Sequence, residues 1–432
     1  MKELVKFKLS KRYCFIVAFT TSVLIQSCSE NDLTPHNLLL TVDIEPGHFP
    51  SDYDVWFFIS DKNGKTIDIR HAKDSTRVRL LGGTYDAVTF STFIHVTFPN
   101  GSGSGVWNSF GFQSYQQIPT GSHVYLKKWT GDYTSYPDTI GSARLIMKDY
   151  DDSTTPEYSF SFTDNTAGQL LVMDLGSVQY SGSTFSTKLR VRKNPSRMLL
   201  SAYRNNVPMY LWLNDVKPND SVKVSFNDFT PCKTASLNKQ VFGGSVRTMT
   251  GANFDIGYTF SDLYSWQISK SSDLTKPPIL GYLDGFDKYY TSVIEKQFDA
   301  VQNLYYSKAG TAPQSIDLPS YNFLANNTDL YGLSINFSNE YSRKQAYFIK
   351  SNSTFQVNWT LEASNTEDFK TPSIPSEILS AYPMLNVDGL KLEVASYTHC
   401  LDGYTYLDYV TAQLAASPRD VYEELRYTLY LH

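Results

Sequence analysis

Apolar and polar side chains alternate with a period of two along most of this chain of 432 residues. The clearest early runs are Leu38–Ile44 and Tyr53–Ile59, and the dipeptide Asn63-Gly64 follows the second run. Successive side chains of a β-strand point to opposite faces, so the alternation predicts strands with a buried face. Asn-Gly is the strongest short signal for a hairpin turn. The predicted fold class is mainly β, with tandem antiparallel β-sandwich domains and one notable helix in the C-terminal part.

Changes in this pattern divide the chain into three predicted domains. An N-terminal β-sandwich covers 37–141 and contains an aromatic loop insertion from residue 99 onward. A second β-sandwich covers 142–235, and a C-terminal β-rich domain covers 236–432. In the last of these, apolar residues between Tyr290 and Tyr305 recur at helical spacing, and Asp287 stands where it could cap the first turn. This spacing predicts a helix over 288–306.

A basic start precedes the first domain and is followed by the apolar run Tyr13–Ile25 and then by Cys28. The run is shorter than the roughly 20 residues that a membrane-spanning helix needs, and its length suits a secretory signal. The order of these features resembles a bacterial lipoprotein signal. The resemblance implies that residues 1–27 are removed, that Cys28 is lipidated through its thiol, and that 28–36 form a tether.

The tether begins with the acidic stretch Ser29-Glu30-Asn31-Asp32. This stretch resembles the one that follows the lipid-bearing cysteine in surface-exported lipoproteins of the Bacteroidetes. The resemblance implies an outer-membrane protein that is lipid-anchored and faces the cell surface. Its first partner would be the membrane, because a lipidated cysteine carries at least the two acyl chains that stable anchoring requires.

Two short motifs stand in the first predicted sandwich, Asn63-Gly64-Lys65 and the run Leu81–Tyr85. Their order resembles the transthyretin-like, or carboxypeptidase-regulatory-like, β-sandwich. Similar sandwiches open the lipid-tethered anchor and accessory subunits of Bacteroidetes fimbriae. The resemblance implies a non-enzymatic protein for adhesion or fimbria-like assembly, with other protein subunits as partners. Pilin subunits of that type are trimmed after a basic residue. The first one after Cys28 is Lys62, inside the sandwich, so this chain is expected to stay at the membrane.

An alternative function comes from the aromatic residues of the predicted loop insertion. Trp107, Trp129, Tyr133 and Tyr136 stand among Gly, Ser and Thr rather than in alternating apolar rows. Flat aromatic rings with a polar edge suit the stacking of sugar rings, so these residues are candidates for glycan binding by a lipoprotein of a polysaccharide-uptake system. The other interpretation, in which the loop folds back and buries its aromatic rings, stays open.

Two cysteines remain once the signal and the lipidation site are set aside, Cys232 and Cys400. In a compartment that permits oxidation they could form a disulfide, or they could remain buried thiols. Their separation in sequence is a poor zinc signature, and no metal site is predicted.

Motifs for catalysis or nucleic-acid binding do not stand out in the sequence. The formal net charge of −5 does not suit a nucleic-acid-binding protein. Gly-x-Ser-x-Gly, His-Glu-x-x-His and phosphate-binding glycine loops are missing, and the histidines are scattered. We therefore predict no catalytic residue and no cofactor, although a Ser/His/Asp triad assembled only by the fold would escape such a search.

Overall fold

A computed structural model describes most of the chain between Leu38 and Leu431. The described residues are 38–72, 75–99, 106–128, 139–148, 159–164, 169–172, 179–181, 184–192, 197–204, 207–250, 259–267, 279–286, 288–296, 300–415, 419 and 421–431.

Strands dominate these residues, which confirms the mainly β fold class. The first seven strands are β1 (Leu38–Ile44), β2 (Asp54–Ser60), β3 (Thr66–His71), β4 (Arg77–Leu81), β5 (Ala87–Pro99), β6 (Val106–Pro119) and β7 (Ser122–Leu126). The next nine are β8 (Thr139–Lys148), β9 (Ser159–Asp164), β10 (Gln169–Val172), β11 (Gln179–Ser181), β12 (Thr184–Arg192), β13 (Arg197–Arg204), β14 (Val207–Asn214), β15 (Ser221–Ser225) and β16 (Thr230–Pro231). The remaining strands are β17 (Lys233–Leu237), β18 (Gly243–Thr250), β19 (Thr259–Gln267), β20 (Ile279–Tyr282), β21 (Tyr289–Ile294), β22 (Gln302–Gly310), β23 (Ser315–Ile316), β24 (Phe323–Asn327), β25 (Ser334–Phe337), β26 (Arg343–Ser351), β27 (Phe355–Ser364), β28 (Lys391–Cys400) and β29 (Tyr422–Tyr430).

Two α-helices lie in the described part of the chain, α1 (Ser376–Ala381) and α2 (Tyr406–Leu414). A capping box begins α2, since the Thr405 hydroxyl accepts from the Asp408 N–H and the Asp408 carboxylate accepts from the Thr405 N–H. Among the helices described, none combines the length and the apolar character that crossing a bilayer requires.

The largest sheet has twelve strands in the order β19-β18-β21-β22-β29-β28-β26-β27-β6-β5-β2-β3. Most neighbours are antiparallel, but β27 and β6 pair in parallel, with Phe355 opposite Asn108 and Glu362 opposite Tyr115. Through this pair the sheet joins strands of the first predicted domain to strands of the third. The three predicted boundaries stay a prediction, but residues 37–141 and 236–432 share one continuous sheet.

The twelve-stranded sheet is covered on both faces where it passes through β2. Val55, Phe57 and Ile59 pack into a core formed with the three-stranded sheet β4-β1-β7 and with α2. Phe58, between them, points to the opposite face and packs with C-terminal residues such as Trp359. An apolar side chain at nearly every position is what a strand buried on both sides requires.

The strands between 139 and 231 form two further sheets, β10-β9-β13-β14-β16 and β11-β12-β8-β15. Leu145 and Leu189 from one sheet and Leu200 from the other share a single buried core. Two sheets packed face to face over one core are a β-sandwich arrangement. The remaining small sheets are β20-β17-β23 and β24-β25.

The predicted helix over 288–306 is wrong, because its described residues include β21 and the start of β22, which pair antiparallel. Tyr289, Thr291 and Val293 alternate as buried residues along β21, which is the period of a strand. The side chain of Asn303 accepts a hydrogen bond from the Lys296 N–H at 3.1 Å and donates to the Lys296 carbonyl at 3.2 Å. These bonds join the residue that follows β21 by two positions to the start of β22.

The loop predicted from residue 99 to 141 is also wrong over much of its length. Residues 106–126 form β6 and β7, and β6 pairs with β5 on one side and β27 on the other. Phe110 and Phe112 are buried, and so is Ser114. Because a buried serine continues the inward row in place of an apolar residue, the alternation is less visible in the sequence.

The Asn63-Gly64 hairpin is confirmed by the antiparallel pairing of β2 with β3. Gly64 has φ +83°, and a Cβ atom placed on it would lie 2.7 Å from the carbonyl oxygen of Thr371. We expect Gly64→Ala to destabilise the protein by about 2–4 kcal/mol, because the left-handed backbone costs about 1–2 kcal/mol and the clash adds to it. Urea unfolding would measure the loss.

Gly121 provides a matched control for this substitution. Its φ is +81°, and nothing lies within 4 Å of an added Cβ atom. Gly121→Ala should therefore show the backbone cost alone, about 1–2 kcal/mol. Equal losses for the two variants would contradict the close approach of the C-terminal segment to the β2–β3 turn.

Candidate binding cleft

A cleft of about 870 Å³ opens at the end of β1 and the start of β2. Its volume falls in the range of small-molecule sites, roughly 300–1,000 Å³. The loop 45–53, which joins the two strands, forms most of the wall, and the segment after β3 completes it. The lining residues that carry polar or aromatic groups useful for binding are Glu45, His48, Phe49, Asp52, Tyr53, Asp54 and His71.

The loop 45–53 is shaped by its prolines and by short-range hydrogen bonds. The His48 N–H donates to the Glu45 carbonyl at 3.0 Å, and the Tyr53 N–H donates to the Pro50 carbonyl at 3.0 Å. The Glu45 carboxylate accepts from the Lys128 N–H at 2.7 Å, which ties the loop to the end of β7. These bonds give the cleft wall a defined conformation without regular secondary structure.

His48 is held on this wall by its ring. Nδ1 lies 2.6 Å from the carbonyl oxygen of Lys127, and since a carbonyl only accepts, Nδ1 carries the hydrogen. The ring of Phe49 packs edge-on against the imidazole, with centroids 4.4 Å apart. In its neutral form His48 therefore keeps Nε2 as a hydrogen-bond acceptor.

The opposite wall is organised by Asp54, the first residue of β2. Its two oxygens accept hydrogen bonds from Nε2 of His71 and from the hydroxyl of Tyr382. The His71 ring stacks on Trp56, its cross-strand partner, with ring centroids 4.4 Å apart and ring planes inclined by 22°. Because Nε2 donates to a carboxylate, the neutral His71 ring has Nδ1 as its acceptor.

The electrostatics of Asp54 follow from these partners. Burial acts to raise its pKa, but the hydrogen bonds from Tyr382 and His71 outweigh burial, so the pKa of Asp54 lies below its ordinary value. Burial is the largest cause that raises the pKa of Tyr382 far above its usual range, and the neighbouring Asp54 carboxylate is the second. Asp54 is therefore an ionised acceptor and Tyr382 a protonated donor at neutral pH.

Tyr382 follows α1 and brings the C-terminal part of the chain to the cleft. The centroid of its ring lies 5.3 Å from the ring centroid of Phe93 and 4.7 Å from that of His95. His95 stands opposite Asp54 in the pairing of β5 with β2 and has Asn108 as a hydrogen-bond partner at 2.9 Å. The base of this wall is thus a packed aromatic cluster that fixes the position of Asp54.

An aromatic hairpin lies beside this end of the sheet. β5 continues four residues beyond His95 to Pro99, and β6 returns from Val106. Phe98 is 43% exposed, and its ring lies 5.8 Å from that of the half-buried Trp107 on the facing strand. Trp107 is therefore part of a β-hairpin and not of an irregular loop.

The other residues proposed for glycan binding or lipidation lie outside the described residues, namely Trp129, Tyr133, Tyr136 and Cys28. Trp107 is thus the one member of the predicted glycan-binding set whose surroundings the structure describes.

Cys232 and Cys400 are both buried and free, so the possible disulfide between them is not formed in the structure. Cys232 lies between β16 and β17 beside Gly281, and Cys400 ends β28 opposite Glu424. Burial raises the pKa of the Cys232 thiol to about 12 and also raises that of Cys400. Both thiols are therefore unreactive packing groups.

The part of the chain that the structure describes contains no cluster of three or more His, Cys, Asp or Glu side chains suited to hold a metal ion. Within the cleft, Asp54 bonds to His71 and Tyr382, while Glu45 and His48 bond to the backbone. The arrangement provides fixed hydrogen-bond acceptors and aromatic surface for a ligand.

Sequence reasoning did not identify the cleft, because its parts are far apart along the chain. His48 and His71 counted among scattered histidines, and the bond between Asp54 and Tyr382 joins residues 328 positions apart. A local signal did exist in the run of prolines, histidine and aromatic residues from Pro46 to Tyr53, since long polar-aromatic connections between strands often carry function.

Comparisons with known proteins give little similarity. No family model matches the chain, and no curated protein matches it. Among solved structures, the chain is similar to a crystal structure of the pilus adhesin SpaC from Lactobacillus rhamnosus GG in an open conformation, at 8% identity and a TM-score of 0.12. The match covers 77% of this chain and 44% of that one, so this chain spans less than half of the adhesin's length.

Proposed function

We propose that the chain is a lipid-anchored cell-surface protein of the outer membrane that acts in adhesion or fimbria-like assembly without enzymatic activity. Cys28 carries the lipid, residues 28–36 are the tether, and the end of the molecule that bears the cleft meets the partner.

The observation that supports this proposal is the position of the cleft at the end of β1. β1 begins at Leu38, next to the tether, and ends at Ile44, which lines the cleft. A strand of this length spans roughly 20 Å. β5 runs four residues past His95, the partner of Asp54, so the hairpin of β5 and β6 extends beyond the start of β2. The cleft thus lies at the opposite end of β1 from Leu38, the first described residue after the proposed tether.

An anchor subunit is expected to stay at the membrane. The positions of the first basic residues after Cys28, where trimming would take place, support this retention. Lys62 lies in the tight turn between β2 and β3, and Arg70 lies within β3. Cleavage at either residue would separate β1 and β2 from the sheets in which they pair with β4, β7 and β5. A chain trimmed there would lose part of its core.

A polysaccharide-uptake lipoprotein is the alternative function. It shares the anchor and the surface location and differs in the ligand. Its specific support in the described residues is the pair Phe98 and Trp107, whose rings lie together on the projecting hairpin.

Protease shaving of intact cells tests the proposed location. We expect a C-terminally tagged protein to disappear from intact cells, while a periplasmic marker survives, and the untreated protein to begin at Cys28. Protection until the cells are broken would overturn the surface location. A mature N-terminus after Lys62 or Arg70 would overturn retention as an anchor.

A further inference from the structure

We propose that the cleft is a binding site for an uncharged saccharide. This inference rests on the proposed function, since it names the class of ligand for the end of the molecule that bears the cleft. The lining provides neutral acceptors, one uncommitted carboxylate and an exposed aromatic ring.

The acceptors come from the two histidines. Bonds to the Lys127 carbonyl and to the Asp54 carboxylate fix the hydrogens on Nδ1 of His48 and Nε2 of His71. The other ring nitrogens, Nε2 of His48 and Nδ1 of His71, have no hydrogen-bond partner among the described residues. Two acceptors with fixed tautomers in one cleft are suited to a ligand with several hydroxyl donors.

The charges of the lining disfavour an anionic ligand. Among the described lining residues, Glu45, Asp52 and Asp54 carry carboxylates and none carries an ammonium or guanidinium group, although the side chain of Lys128, which follows β7, lies beside Gly47. A uronic acid or sulfated sugar would meet net negative charge from these lining residues.

The same carboxylates do not favour a strongly basic peptide. Both oxygens of Asp54 accept bonds from within the protein, and Glu45 accepts from the backbone of Lys128. Only Asp52 is exposed and has no partner of this kind among the described residues. An uncharged polyol can use one carboxylate and two imidazoles, whereas a cationic chain would need more free carboxylates.

The aromatic component is provided by Tyr53, which is 36% exposed on the loop. Phe49, in the same lining, is fixed by packing, with its ring centroid 4.4 Å from that of His48 and 6.4 Å from that of Phe57. The exposed ring of Tyr53 can stack against the C–H face of a sugar. The volume of about 870 Å³ leaves room for a short saccharide.

The test uses the full-length lipidated protein, purified in detergent and applied to immobilised neutral, N-acetylated, uronic and sulfated oligosaccharides, with polylysine as a further surface. We expect retention on one or more of the uncharged sugars. Tyr53→Ala and His71→Phe should each weaken that binding about tenfold, the equivalent of one aromatic or hydrogen-bonding contact. His71→Phe keeps a ring to stack on Trp56 and removes both nitrogens.

Tyr331→Ala is the matched control, since Tyr331 is 62% exposed and lies outside the cleft lining. It should bind like the wild type, and thermal melting of all three variants reports whether they fold. The inference is overturned if no saccharide retains the protein, if folded cleft variants bind as well as the control, or if polylysine is preferred. Because binding is read on purified protein, these outcomes are independent of the location that protease shaving reads.

Discussion

Replacing Leu429 with aspartate will abolish cooperative folding of the C-terminal part of the chain. Leu429 is 4% exposed and lies on β29, the last strand, which occupies the middle of the twelve-stranded sheet. Directly opposite Leu429 stand Gln302 on the neighbouring strand β22 and Ala395 on the other neighbour, β28. An aspartate here deletes a buried leucine and places an unpaired charge in the main core.

The size of the effect follows from these two losses. Removing a buried leucine side chain costs about 2–5 kcal/mol, and an unpaired buried charge costs more. The total exceeds roughly 5 kcal/mol, which is comparable to the whole stability of a typical domain. The unfolding curve of the variant should therefore show no folded baseline even without urea. In such a variant β22 and β28 would lose the strand that joins them.

Circular dichroism and tryptophan fluorescence during urea unfolding would measure this loss. Arg426→Gln is the matched control on the same strand, because Arg426 is exposed and stacks on Tyr305 at 5.0 Å from the ring centroid. It should cost less than about 1 kcal/mol. A cooperative transition for Leu429→Asp close to that of the wild type would show that β29 is not required by the sheet.

The pattern of β29 also shows what could be predicted from the sequence. The alternation of Tyr427, Leu429 and Leu431 predicts a terminal strand that completes a sheet, and the structure has a strand there with Tyr427 and Leu429 buried. Its central position was not predictable, because the partners Gln302 and Ala395 are chosen by the tertiary fold. Period-two patterning identifies a strand and its inner face, but not its neighbours.

The segment 288–306 shows how the same reasoning fails. In β21 some half-buried positions also hold large apolar or aromatic residues, such as Tyr290 beside the buried Tyr289, and such neighbouring residues also satisfy helical spacing. The local composition, Tyr-Tyr-Thr-Ser-Val-Ile, favours a strand. The pairing of β21 with β18 and β22 decides the outcome.

The hydrogen-bonded wall of the cleft could not be predicted from the sequence for a related reason. This wall depends on the register that places Trp56 opposite His71 and Asp54 opposite His95. Tyr382 then arrives from the segment after α1, at the far end of the chain. Neither the register nor this return of the chain leaves a local trace, whereas the motif on which the proposed anchor rests is local and is visible in the sequence.

The second large effect concerns that anchor. Replacing Cys28 with serine should move the protein out of the membrane fraction, because lipidation forms a thioether and serine has no thiol. Each buried CH₂ of an acyl chain contributes about 0.8 kcal/mol, so two chains hold the protein firmly and their loss leaves no comparable attachment. We also expect the variant to keep residues 1–27 if cleavage of this signal depends on lipidation.

Metabolic labelling with radioactive palmitate, followed by fractionation and mass spectrometry of the N-terminus, would measure this change. Cys14→Ser is the matched control, since Cys14 lies in the apolar run Tyr13–Ile25 of the same leader and should label and fractionate like the wild type. A Cys28→Ser protein that still labels with palmitate and stays in the membrane would overturn the anchor. The cleft would then have no assigned direction relative to the membrane, and its ligand would have to be sought without that constraint.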